Sequence, residues 1–107
     1  MKLIKSITRT NADIVKCHNT SEPMRRHRNE ELTLYGFCIF DKEDNSPLIT
    51  SIITNKGSFS SNSQSIKDSC LTLLKFMKEE EIKKGIEIKI SSKESRNRRE
   101  YLVIDLI

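Results

Sequence analysis

Tyr35-Gly36-Phe37-Cys38-Ile39-Phe40-Asp41-Lys42-Glu43-Asp44-Asn45-Ser46-Pro47-Leu48-Ile49-Thr50-Ser51-Ile52-Ile53 decides the fold. Two runs rich in Ile, Phe and Thr flank a polar turn at 41–46, the composition of a β-hairpin. Both runs are apolar at successive positions, as central strands covered on both sides are. Gly36, lacking a side chain, marks a bulge or a close backbone approach.

On the C-terminal side, Ile66, Cys70, Leu73, Leu74 and Met77 recur at three- and four-residue spacing and form one apolar helical stripe. Lys67, Lys75, Lys78 and Glu79 fall elsewhere on the cylinder. Ser61 with Gln64, or Ser65 with Asp68, fits a capping arrangement at the helix start. The serines of 58–65 read as turn and cap donors, since the segment has neither the glycines nor the lysine of a phosphate-binding loop. Lys83 and Lys84 oppose the negative end of the helix dipole and Gly85 can close the last turn, so the spacing predicts one helix reaching about Lys84. Ile86-Glu87-Ile88-Lys89-Ile90 alternates with period two, and Tyr101 to Ile107 reads as a second, more apolar strand. Ser91 to Glu100 between them reads as a polar loop.

On the N-terminal side, residues 18–30 show no apolar period and Pro23 removes a ladder donor, which predicts an exposed, mobile loop. Residues 2–8 and 12–17, the latter carrying Ile14 and Val15, read as one or two short strands. The expected architecture is a single α+β domain over 1–107, a mixed sheet of five or six strands with one main amphipathic helix. One helix covers only one face of such a sheet. The other face then needs the N-terminal segment or a partner chain.

At 107 residues the chain holds one modest core, burying roughly 65% of its unfolded surface. Hydrophobic residues at 36% against charged residues at 32% mark an ordered protein rather than a disordered one. No apolar block resembles a signal peptide or reaches the roughly 20 residues of a membrane span, so a cytoplasmic location with no membrane contact is expected. Cys17, Cys38 and Cys70 are widely spaced and read as buried, reduced thiols, neither a disulfide framework nor a metal cluster.

The order and local sequence resemble the ribonuclease H-like superfamily. Residues 35–45 are similar to its second strand and turn, Ser61-Asn62-Ser63-Gln64-Ser65-Ile66 to the Thr-Asn-Asn segment opening its first helix, and residues 84–92 to its helix end and fourth strand. The likeness spans about half the chain. Enzymes of that family hold two divalent cations with acidic residues on the first strand, first helix and fourth strand. The resemblance places Ile66 at the helix glutamate, Ser91 or Ser92 at the fourth-strand aspartate, and Ser6 or His18 at the first-strand aspartate. Hydroxyls and an isoleucine cannot supply the charge that hard cations require, so the resemblance implies a shortened scaffold without a nuclease centre, not an enzyme.

Two basic clusters stand out, Arg25-Arg26-His27-Arg28 and the 93–99 stretch with Lys93, Arg96, Arg98 and Arg99. Guanidinium forks suit phosphate oxygens, so these seven cations are the candidate nucleic-acid-binding residues, and together they would form a patch if the two loops met on one face. Neither cluster contains an aromatic residue for base stacking. Tyr35, Phe37, Phe40, Phe59, Phe76 and Tyr101 lie mostly in expected strands and the helix and read as core. His18, His27 and Cys17 have no second ligand pair at zinc-like spacing. Asp68 reads as a helix cap and Asp105 as outward or paired, rather than as members of an acidic cluster with Asp13. No cofactor, metal or small-molecule substrate is called for. The leading expectation is a non-catalytic interaction module that binds a protein partner or itself, and the alternative is nucleic-acid binding through loops 25–28 and 93–99. Size and a Lys/Ile/Asn/Ser-rich composition fit small accessory proteins of phages and mobile elements.

Overall fold

A computed structural model describes residues 1–107 and shows an α+β fold: one six-stranded sheet with three α-helices. The strands are β1 (Lys2–Ile7), β2 (Glu31–Asp41), β3 (Ile49–Thr54), β4 (Gly57–Ser61), β5 (Ile86–Glu94) and β6 (Glu100–Leu106). The helices are α1 (Asn11–Asn19), α2 (Gln64–Phe76) and α3 (Glu79–Lys84), with a 3₁₀ turn at Met24–His27. The sheet runs β4-β3-β2-β5-β6, and β1 also pairs with β2. Every strand ladder is antiparallel, so the expected mixed sheet is corrected: no two of the strands are paired in parallel.

The hairpin at 35–53 forms as β2 and β3, and β2 starts earlier than expected, at Glu31. That extension matters because β2 changes partner along one edge. Glu31 to Leu34 pair with β5, and Phe37 to Asp41 pair with β1. Gly36 sits at the changeover, where a Cβ would lie 2.2 Å from the Ile7 carbonyl oxygen. Glycine is needed for the two ladders to meet there.

One sheet face carries Leu32, Leu34, Phe37, Ile39, Ile52, Ile88, Ile90, Leu102 and Ile104 against Ile66, Cys70 and Leu73 of α2 and Ile82 of α3. The single long helix expected to reach about Lys84 is in fact broken at Met77 and Lys78, both extended. The stripe explains the break: nine residues separate Leu73 from Ile82, which at about 100° per residue puts Ile82 roughly 180° away from the stripe. Two extended residues rephase the chain and bury Ile82 completely. Glu79, Glu80 and Glu81 then stand at the positive end of α3, and the Glu81 carboxylate accepts from the Lys78 N–H. Gly85 ends α3 at φ 107°, and a Cβ there would come within 2.9 Å of Thr33 and Tyr35.

The opposite face is covered over β2 and β3 by α1, where a strand was expected around Ile14 and Val15. The Thr10 hydroxyl accepts from the Asp13 N–H and caps the helix, and Cys17 packs on Cys38, Phe40 and Ile53. The three thiols are buried, and burial pushes the Cys70 thiol up to about 12.

The segment at 18–30 is tied down rather than loose. Met24 is fully buried, the Glu22 carbonyl accepts from the Ser60 N–H, and the Thr20 hydroxyl donates to the Ser58 carbonyl. These contacts seal the outer edge of β4, a strand built on one buried aromatic, Phe59. The far edge, β6, is sealed by α2: the Ser65 hydroxyl donates to the Leu102 carbonyl and the Ser69 hydroxyl accepts from the Ile104 N–H. Ser65 therefore lies inside the helix holding a strand. The N-cap is Ser63, and Asp68 accepts from the Gln64 side chain instead of capping. No helix is long and apolar enough to cross a membrane.

Candidate nucleic-acid interface

Antiparallel pairing of β2 with β5 brings the two basic clusters to one end of the sheet. The Asn29 N–H donates to the Ile90 carbonyl and the Ile90 N–H to the Glu30 carbonyl, which lays the chain after Arg28 against β5. Arg28 and Glu100 form an ion pair across 72 residues of sequence. The Arg28 guanidinium, with a hydrogen bond from Ser92, holds the Glu100 carboxyl below the usual carboxylate range.

The expected 91–100 loop is shorter than its sequence suggested. β5 continues to Glu94, so Lys93 is a strand residue, and the turn proper is Ser95–Arg99. Arg98 N–H donates to the Ser95 carbonyl, Ser95 N–H to the Arg99 carbonyl, and Arg98 takes φ 60°. This is a tight hairpin with its αL residue at Arg98, so Arg96, Arg98 and Arg99 are presented at an exposed tip.

The 3₁₀ turn at Met24–His27 is equally well held. His27 stacks on Phe59 with ring centroids 3.7 Å apart, and its two ring nitrogens contact Glu30 at 2.8 Å and Glu22 at 3.3 Å. His27 is thus a structural pin, and Arg25, Arg26 and Arg28 project around it into solvent.

Between the clusters lies an open groove of about 830 Å³, walled by Arg25, Arg26 and Arg28 on one side, by Ser61 to Ser63 at the start of α2, and by Glu100 and Tyr101. Arg25, Ser61 and Asn62 also line a neighbouring cleft of about 350 Å³ that contains Lys42 and the hydroxyl-bearing Ser21, Ser46 and Ser60. At the other end Glu100 is shared with a hollow that holds Ser92, Lys93 and Arg98. The three depressions make one polar track from Lys42 through Arg25, Arg26 and Arg28 to the β5–β6 hairpin.

Three of the seven candidate cations face carboxylates. Arg26 lies 3.7 Å from Glu22, Arg28 pairs with Glu100, and Lys93 lies 3.8 Å from Asp105. Arg25, Arg96, Arg98 and Arg99, with Lys42, have no carboxylate within ion-pair distance. Arg25, Arg26, Arg28, Lys93 and Arg98 line the track, while Arg96 and Arg99 flank it on the hairpin turn.

Sequence reading missed two members. Tyr101 was assigned to the core, yet it is 38% exposed on the groove wall, opposite Lys93 in the β5–β6 register. Strand alternation carried the signal, because Leu102 and Ile104 are buried and their neighbours must face the other way. Lys42 was read only as a turn residue. Phe76, also expected in the core, is 81% exposed at the end of α2.

The positions that the ribonuclease H-like resemblance assigns to metal ligation do not gather. Ile66 is buried in α2 and His18 is exposed on α1, where its ring meets Phe40 edge-on. Ser6 is opposite Cys38, whereas Ser91 lies beyond the Glu31–Lys89 pair, roughly 25 Å or more away by strand rise. No group of three His, Cys, Asp or Glu side chains is placed to hold a metal ion. Comparison with protein-family models, with curated proteins and with solved structures found no match.

Proposed function

We propose that the chain is a non-catalytic, cytosolic binding module that takes single-stranded nucleic acid along the Lys42–Arg25–Arg28–Arg98 track. The observation that carries this reading is that the Arg25–Arg28 groove, with the exposed Tyr101 in its wall, adjoins through Glu100 the hollow that holds Lys93 and Arg98, so two basic clusters distant in sequence stand side by side. Guanidinium groups fork onto phosphate oxygens, serine hydroxyls and Asn62 add neutral donors, and Tyr101 offers a ring on which a base can stack. The groove is open and has an exposed ring in its wall, which suits the unstacked bases of a flexible single strand better than a duplex.

The test is binding of a labelled single-stranded oligonucleotide by fluorescence anisotropy, with a duplex of the same sequence as competitor. Arg25→Glu with Arg98→Glu should abolish binding while the thermal transition stays in place. Unchanged affinity in that variant sinks the reading.

A second reading, an interaction module that binds a protein partner or itself, is favoured by one separate feature, the uncovered edge of β1. A phage or mobile-element accessory role fits either reading. A relation to the ribonuclease H-like superfamily rests on segments 35–45, 61–66 and 84–92 alone.

A further inference from the structure

We propose that two copies of this chain join through the outer edge of β1, strand to strand and antiparallel; the inference deepens the interaction reading and rests on it. β1 pairs with β2 on one side only, and no backbone hydrogen bond outside the ladders involves residues 1–8. The edges of β4 and β6 are sealed by the 20–24 segment and by the α2 serines, so β1 presents the sheet's open row of N–H and C=O groups.

Beside that edge runs an apolar groove of about 280 Å³ floored by Phe40 and walled by Leu3 from β1 and Val15 from α1. Met1, Leu3 and Val15, 48%, 39% and 58% exposed, lie together on this groove as one contiguous apolar patch. A two-fold axis perpendicular to the sheet keeps the α1-bearing faces on the same side. The two grooves then run together into one apolar strip across the joint.

The strand is compatible with itself. A bulge at Ile4 divides the strand, since Leu3 pairs with Phe40 and Lys5 with Ile39, and setting Lys2 of one copy against Ile7 of the other and Leu3 against Ser6 leaves no lysine opposite a lysine, removing the repulsion by which edge lysines usually block such contacts. Charge supplies the direction. α3 packs against β1 and β2, with Ile82 in the same core as Ile7, and its Glu79, Glu80 and Glu81 are exposed. Antiparallel pairing brings the Lys2 end of each strand to the Ile7 end of the other, and therefore toward the other copy's glutamates. An unrelated peptide would meet the same edge without this reciprocity.

Sedimentation velocity on the full chain over a range of concentrations, together with hydrogen exchange of the β1 amides, tests the assignment. The expected result is a monomer–dimer equilibrium in which β1 protection rises with concentration. Val15→Asp, on an exposed turn of α1, should raise the dimer Kd about tenfold or more. Lys2→Glu should do the same, and Glu79→Lys with Glu80→Lys in that background should restore pairing. Lys2 also faces Asp41 in its own sheet, so the rescue carries more weight than the loss. A chain that stays monomeric at every concentration, or a dimer indifferent to both Val15→Asp and the charge reversal, overturns the proposal. A monomer whose β1 amides are protected instead by an added peptide alternating valine and glutamate overturns the second-copy assignment while leaving the interaction reading standing.

Discussion

Removing one unpaired arginine should change how binding responds to salt, and by a calculable amount. Six cations line the track, and three of them, Arg26, Arg28 and Lys93, already face Glu22, Glu100 and Asp105. Arg25, Lys42 and Arg98 remain to neutralise phosphates. Each phosphate neutralised on a single strand contributes about −0.7 to the slope of log K against log salt, so three give about −2. Raising salt from about 50 to about 200 mM should then weaken binding roughly 18-fold. Arg25→Ala should bring the slope to about −1.4 and the loss over the same interval to roughly 7-fold. Arg28→Ala behaves differently, since it leaves the Glu100 carboxylate facing the groove; its main effect should be weaker binding at low salt. Anisotropy titrations of a labelled oligothymidine at several salt concentrations give all these slopes. A slope near zero, or one that Arg25→Ala and Lys42→Ala both leave unchanged, refutes the reasoning.

Three further outcomes follow from the packing. Gly36→Ala should cost about 3 kcal/mol or more, because its Cβ would meet the Ile7 carbonyl, and it should loosen β1 first; slow β1 amide exchange and an unshifted urea midpoint would contradict this. Thr50→Val should stabilise by about 1–2 kcal/mol, since the fully buried Thr50 hydroxyl has no partner and valine matches its shape; a lowered urea midpoint would show that the hydroxyl is satisfied. Arg98→Gly should raise stability by about 1 kcal/mol by relieving φ 60° in a residue with a Cβ, yet flatten the salt slope of binding; a shift of either quantity in the opposite direction would count against the hairpin assignment.

What could be read from the sequence follows what each segment buries. The β2–β3 hairpin, the alternation at Ile86–Ile90 and the stop at Gly85 were legible because each carries several apolar residues in phase or a glycine that nothing else can replace. β4 was missed because Phe59 is its only apolar anchor among serines, and α1 because Ile14 and Val15 suggested a strand while the Thr10 cap went unweighed. The break before α3 was present in the phase of Ile82 but was overridden by the lysines and glycine that mark a common end. At the site, the cations were visible one by one. Their meeting was not, since it depends on the register of β2 against β5, a long-range pairing with no local sequence mark.

The uneven treatment of the sheet's margins limits what the protein can build. Strand addition propagates when a subunit offers two sticky borders, as in fibrils, and stops when it offers one. Here hydroxyls from Thr20, Ser65 and Ser69 close two borders at no expense in charge, leaving a single site for growth. In the proposed dimer that site is used up on both sides, so association would end at a pair and the cationic tracks would stay in water.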